Sequence, residues 1–231
     1  MTQVSQLLIY TYVYSVIFKV DPASRGLTDN NPLAVGLWIF SGLLPWWGFS
    51  SGLSLSASAV IKQTNLVKKV VFPLALLPPV SVLSAFIESL FGLAALLVAY
   101  VLFIGTPHTI LILLPLVWIP QLLLTLGLGY LAAALTVFLR DIPQTIRIIL
   151  NIWFYLTPIV YPVTLIPEPI RVWVFRLNPM AIPVQVSRDL FMKGEFYDWI
   201  AWGSTVALTS FLLYIGISVY QKLRPAFADV L

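Results

Sequence analysis

Six long apolar stretches constrain this chain more than any other feature: approximately Val4–Val20, Leu33–Val60, Leu74–Ile104, Ile110–Leu139, Ile148–Ile166 and Trp199–Leu223. A helix of about 20 apolar residues crosses roughly 30 Å of hydrocarbon. In lipid the backbone groups must be satisfied within the segment, which makes helices the default for such stretches. A transmembrane barrel would need alternating segments of about ten residues, and these stretches are continuous. Composition agrees: 60% of the 231 residues are hydrophobic and 10% charged, against about 25% charged in an average soluble domain. No polar stretch is long enough for a second domain, so residues 1–231 read as one domain.

Several stretches exceed one straight span and contain Pro45, Pro78-Pro79, Pro115 and Pro120. Each proline removes a backbone donor, so bent or interrupted helices are expected. The first stretch has few, uncharged residues before it. It reads as a slightly short span, because no basic residue precedes it and no small-residue cleavage site follows. The longest region outside the spans, Pro162–Asp198, is apolar yet broken by five prolines. Asn178-Pro179 reads as a helix start, with Asn at the cap and Pro at the first helical position. Two short helices dipping into the outer face of the membrane are expected here, an interfacial loop being the alternative.

The net charge is +4 and the pI about 9.4. The basic residues are few and sit between apolar stretches, which favours cytoplasmic loops over nucleic-acid binding. With the N-terminus inside, the inside loops hold Lys62, Lys68, Lys69, Arg140, Arg147, Lys222 and Arg224. The outside segments hold Lys19, Arg25, Arg171, Arg176, Arg188 and Lys193. The inside loops are much shorter, so their basic density is higher, as the positive-inside rule requires.

Candidates for chemistry are sparse. The sequence holds no cysteine and one histidine, which excludes thiolate metal sites, disulfides and cysteine nucleophiles. There is no phosphate-cradling Gly-rich loop ending in Lys-Ser/Thr, no His-Glu-x-x-His and no Gly-x-Ser-x-Gly. The lone His108 falls in a short loop, where solvation or capping is the plain reading. Energy for active transport must therefore come from a partner or an ion gradient. Glu88 is the one acid inside a span. It is either an ion or proton site, or a protonated or hydrogen-bonded group fixing helices. Gly48, Gly52 and Ser56, and Gly129 with Ala133, mark faces where helices approach closely. The aromatics Tyr10, Tyr14, Trp46, Trp47, Trp153, Phe154, Tyr155 and Tyr161 belong either to interfacial belts or to a conduit lined by rings. Tyr10, Tyr14, Trp153, Phe154 and Tyr155 are the conduit candidates.

Between the second and third stretches the chain reads Asn65-Leu66-Val67-Lys68-Lys69-Val70-Val71-Phe72-Pro73. Further on come Phe138-Leu139-Arg140-Asp141-Ile142, Tyr155-Leu156-Thr157-Pro158-Ile159-Val160-Tyr161, Leu177-Asn178-Pro179 and the tail Arg224-Pro225-Ala226-Phe227-Ala228-Asp229. In this order, over about residues 35–231, they resemble the type-2 ABC exporter permeases that move O-antigen, capsule or teichoic acid. The front differs from that pattern, which usually places a cytoplasmic amphipathic helix before the first span.

The resemblance implies an all-α membrane fold of six transmembrane helices, with a cytoplasmic coupling helix and two short re-entrant outer helices. It implies two permeases and two ATPase subunits in a bacterial plasma membrane, exporting a polysaccharide or lipid-linked glycan. The chain itself would bind no cofactor; ATP and Mg would sit on the partner ATPase. Lys62, Asn65, Lys68, Lys69, Phe72 and Pro73 would couple to that ATPase, although a juxtamembrane basic cluster also suits lipid headgroups. Arg140 and Asp141 would form a cytoplasmic elbow, or merely a local salt bridge. The outer helices, with Glu168, Arg171, Asn178 and Pro179, would gate the exit. A drug exporter of the same fold, a proton-coupled transporter using Glu88 and a membrane-embedded transferase are the rival functions; the transferase is disfavoured by the lack of an acidic or histidine cluster.

Overall fold

The computed structural model describes residues 2–17, 32–64, 73–196 and 198–230. The described residues are helical, with turns and no strand. The helices are α1 (Thr2–Thr11, continued by a π-helical turn Tyr12–Ile17), α2 (Pro32–Ala57), α3 (Leu77–Phe103), α4 (Leu114–Val117) and α5 (Ile119–Phe138). After them come α6 (Ile142–Leu156), α7 (Glu168–Leu177), α8 (Ala181–Met192), α9 (Trp199–Leu223) and α10 (Phe227–Val230). Four helical segments have the length and hydropathy to cross a membrane: Leu33–Ala57, Leu74–Phe103, Thr109–Phe138 and Trp199–Ala226. The shortest has 25 residues, or about 38 Å at 1.5 Å per residue. The first and fifth expected spans are shorter as helices. The first has ten α-helical and six π-helical residues, its expected end at 18–20 lying outside the described residues; α6 has 15.

Proline explains where helices start and stop. Pro45 sits inside α2, which runs on through it. Pro78 and Pro79, Pro115, and Pro120 all fall in the first turns of α3, α4 and α5, where a missing N–H leaves no intrahelical bond unmade. The expected interruption of the fourth stretch is real and lies at Trp118, between α4 and α5. The fifth stretch, expected at Ile148–Ile166, is displaced. Its helix starts at Ile142 and ends at Leu156, before Thr157-Pro158. A residue preceding proline is pushed out of the α region, and Pro158 and Pro162 prevent the helix from resuming.

The chain forms two compact units. The first comprises residues 1–46, 89–118 and 157–199. In it α8 contacts α4, α7 and the 3-10 turn Thr109–Leu113, and Phe191 of α8 lies 6.5 Å from the Tyr100 ring. The second comprises residues 47–88, 119–156 and 200–231. Its core gathers Val60, Leu74, Ala133, Ala134, Val137, Tyr220 and Phe227. Lipid tails are as apolar as leucine, so helices in a bilayer associate by close packing. Here the small-residue faces interlock: a Cβ at Gly129 would stand 2.7 Å from Ser56 Oγ, and one at Gly52 would stand 2.8 Å from Thr125 Cγ2. Closer still are α5 and α9, where a Cβ on Gly216 would fall on the Gly127 carbonyl.

Candidate functional site

A buried polar cluster lies in the first unit, just after the end of α6. Residues 157–161 form bends without a helical ladder. The carbonyl of Pro158 would take its α-helical donor from residue 162, which is proline and has none. That carbonyl instead accepts from Arg188 Nη1 at 3.0 Å, and the Ile159 carbonyl accepts from Arg188 Nη2 at 2.6 Å. The guanidinium sits over the Trp38 ring, 3.6 Å from its centroid. Gly42 makes room for it: a Cβ there would lie 2.5 Å from Nη2. Arg188 is 1% exposed. Arginine suits such a place because its planar fork matches two acceptors while its face stacks on a ring.

Around this fork the polar contacts continue. Gln185 Nε2 donates to Asp189 Oδ2 at 3.0 Å, and Asp189 Oδ1 pairs with Lys193 Nζ at 3.0 Å. Asn178 Nδ2 donates to Thr157 Oγ1 at 2.8 Å, while Asn178 Oδ1 accepts from the Met180 N–H at 3.0 Å. Contrary to the expectation from sequence, Asn178 is therefore not the helix cap and Pro179 is not the first helical residue; Asn178 instead closes a turn that precedes the helix. The residue flanking the helix is Met180, and α8 starts at Ala181. Replacing Asn178 with alanine removes both bonds at a buried position and is expected to cost about 1–3 kcal/mol. The check is the unfolding temperature of the detergent-solubilised protein, with Asn178→Asp, which keeps the acceptor for Met180, falling in between.

Glu168 is exposed in the first turn of α7, where a carboxylate complements the helix dipole. Arg171 is half-buried, and its Nη2 donates to the Ile166 carbonyl at 2.9 Å. Pro179 is half-buried between the two short helices. The sequence reading placed Arg188 among the outside loop charges. It is buried instead, so it says nothing about orientation. The helix that carries it is buried on nearly every face, Ala181, Val184, Val186, Leu190 and Phe191 included.

In the second unit, Lys62 is exposed in the 3-10 turn Ile61–Gln63, and Pro73 is exposed just before the 3-10 turn Leu74–Leu76. Asn65, Lys68, Lys69 and Phe72 lie outside the described residues, as does the expected coupling helix. Arg140 and Asp141 are exposed in the short turn joining α5 to α6. Asp141 shapes that turn through its carbonyl, which accepts from the Thr145 N–H at 3.0 Å.

The aromatic candidates divide between the units. In the first, Tyr10 and Tyr14 stack with centroids 6.2 Å apart and 24° between planes. In the second, Trp153 meets Phe49 edge to face at 5.0 Å, and Phe154 meets Tyr155 edge to face at 5.3 Å. Tyr155 is 73% exposed, so its ring presents an open face. Glu88 is exposed on α3. Among the described residues, no three His, Asp or Glu side chains converge as a metal site would need.

Comparison with known proteins places this architecture. The chain is 29% identical to an O-antigen export system permease protein RfbA of Klebsiella pneumoniae, covering 99% of this chain and 85% of that protein. It is 29% identical to the RfbA of Myxococcus xanthus, covering 96% of this chain and 82% of the relative. The polysialic acid transport protein KpsM of Escherichia coli is 24% identical over 82% of this chain and 74% of its own length. Residues 1–192, through the end of α8, match the family described as ABC-2 type transporter. A match of that extent, on a chain of helices long enough to cross a membrane repeatedly, leaves one assignment: this protein belongs to the ABC-2 type transporter family.

Proposed function

We propose that this chain is the permease subunit of an ABC exporter that carries a polysaccharide, free or lipid-linked, across a bacterial plasma membrane. The observation that carries this reading is the similarity to O-antigen export permeases along 96–99% of the chain. Two copies form the conduit, and ATP with Mg is bound and hydrolysed on separate ATPase subunits. The permease domain crosses the bilayer six times. The first crossing runs through α1 and its π-helical turn, and the fifth through α6 and the proline-broken segment after it. Helices α7 and α8 form the outer gate, with Glu168, Arg171, Asn178 and Pro179. Tyr10, Tyr14, Trp153, Phe154 and Tyr155 offer ring faces to passing sugars.

Coupling runs through the loop holding Lys62, Asn65, Lys68, Lys69, Phe72 and Pro73, and through the elbow at Arg140 and Asp141. Nucleotide on the ATPase moves cargo only by favouring one permease conformation over another. Basic side chains on the loop meet acidic groups on the ATPase surface. Deleting the gene should strip the cell surface of its long glycan and leave the glycan inside; unchanged surface glycan would falsify the assignment. Changing Lys68 and Lys69 together to Glu should weaken co-purification of the ATPase at least tenfold and stop export, since like charges then face each other across the contact. Full assembly and export by that double variant would remove the coupling role.

A further inference from the structure

The loop that would meet the ATPase returns to the membrane through Pro73, the turn Leu74–Leu76 and then α3, whose second and third residues are Pro78 and Pro79. In an α-helix the carbonyls of residues 74 and 75 would take N–H groups from residues 78 and 79. Both of those are proline, and neither has an N–H. The two carbonyls are nevertheless occupied. Tyr220 Oη on α9 donates to the Leu74 carbonyl at 2.8 Å, and Tyr130 Oη on α5 donates to the Ala75 carbonyl at 3.0 Å. Leu74 also accepts the Leu77 N–H of the tighter turn, so its second lone pair serves Tyr220. The partners are 146 and 55 residues away in the chain.

The two tyrosines support each other. Their rings meet edge to face at 5.2 Å, and Phe227 of α10 packs edge to face on Tyr220 at 5.4 Å. The Tyr220 side chain is fully buried, and Val60, which precedes the loop, lies in the same cluster as Leu74, which follows it. Both ends of the loop thus enter one buried cluster, and among the described residues the returning end is gripped by hydroxyls from two long apolar helices.

We propose that Tyr130 and Tyr220 are positioning residues for coupling: a two-point clamp, opened to them by Pro78-Pro79, that makes α5 and α9 follow the loop when the ATPase moves it. This rests on the coupling role given to the loop above. The clamp is well suited to transmission. It holds backbone rather than a flexible side chain, at two carbonyls that Pro78 and Pro79 leave without α-helical donors. Losing it would leave α3 free to shift against α5 and α9 without unfolding any of them.

The test uses the permease–ATPase complex and the host cell's own surface glycan. The Tyr130→Phe/Tyr220→Phe variant keeps both rings and removes only the hydroxyls. It should assemble with the ATPase and hydrolyse ATP within twofold of the unaltered complex, while surface glycan falls about tenfold. A second pair, Pro78→Ala/Pro79→Ala, restores N–H donors to the two carbonyls. In that background the tyrosine changes should lose most of their further effect on export, the signature of shared partners in a double-mutant cycle. Export within twofold in the Tyr→Phe variant overturns the clamp, as does ATPase activity that falls in step with export. A tyrosine effect that persists in full in the alanine background overturns it too. An unaltered complex that exports no glycan fails the functional reading itself, a result separable from any of these.

Discussion

Replacing Arg188 with alanine should remove export and most of the folded protein. The side chain makes two charge-assisted hydrogen bonds to carbonyls that a proline-broken backbone cannot serve, each contributing about 1.5–3 kcal/mol. Its removal leaves the Pro158 and Ile159 carbonyls buried near an empty pocket and takes the cation off Trp38. Leaving each buried carbonyl without its donor costs about 1–3 kcal/mol, so the pair is a large part of the roughly 5–15 kcal/mol by which proteins are stable. Arg188→Lys keeps the charge but not the fork, so it should recover only part of the loss. Lys193→Ala is the control. Lys193 is 45% exposed where it meets the buried Asp189, which keeps its bond from Gln185, so this loss should be well below that of Arg188. Thermal unfolding in detergent separates these outcomes. An Arg188→Ala protein that melts within a few degrees of the unaltered one would show that the fork holds nothing essential.

Gly216→Val should be the most disruptive change to helix packing. A Cβ at Gly216 would meet the backbone of Gly127, and one at Gly127 would stand 2.8 Å from the Leu213 backbone. Backbone cannot rotate away as a side chain can, so α5 and α9 must separate along their shared contact. Overpacking typically costs about 1–3 kcal/mol and sometimes more; a branched residue against a carbonyl belongs at or above the upper end. Gly203 on the same helix gives the opposite result. A Cβ there has nothing within 4 Å, so Gly203→Ala should stabilise α9 by roughly 0.5–1 kcal/mol through helix propensity alone. The pair is read by the same melting curves. Equal effects at positions 203 and 216 would mean that the close approach of α5 and α9 is not what holds the unit.

Helices were legible wherever apolar runs outlast a bilayer. The expected sixth stretch, Trp199–Leu223, coincides with α9, because no proline disturbs its interior. The fifth was misplaced because hydropathy carries on through Pro158 and Pro162 while the backbone does not. Pro78, Pro79, Pro115 and Pro120 were expected to bend or interrupt helices; those at 115 and 120 flank a real break at Trp118, and all four lie in first turns, which hydropathy cannot tell from interior positions. The two short helices between Pro162 and Asp198 were readable from the spacing of prolines and from Asn178. Packing faces at Gly52, Ser56 and Gly129 were readable from small-residue spacing, but the Gly127–Gly216 contact was not, since it joins single glycines on distant helices.

At the site, Asn178 was singled out by capping chemistry, but it closes the turn before α8. The burial of Arg188 was not legible because the whole short helix is packed inside, and no polar face distinguishes its charges. Tyr130 and Tyr220 were invisible for another reason. A tyrosine in an apolar helix looks like any packed aromatic until the carbonyl it holds is known, and that carbonyl lies far away in the chain. Prolines are the common thread. Pro78, Pro79 and Pro162 leave nearby carbonyls without an α-helical donor, and a carbonyl in a greasy interior calls for a donor from elsewhere.

The α5–α9 contact also restricts traffic. A cargo anchored by an acyl or prenyl tail must slip out of the bilayer sideways through some doorway. The seam at Gly127 and Gly216 has no space even for a methyl group, so no hydrocarbon tail can thread it. A lipid-anchored cargo would need an entry other than this seam.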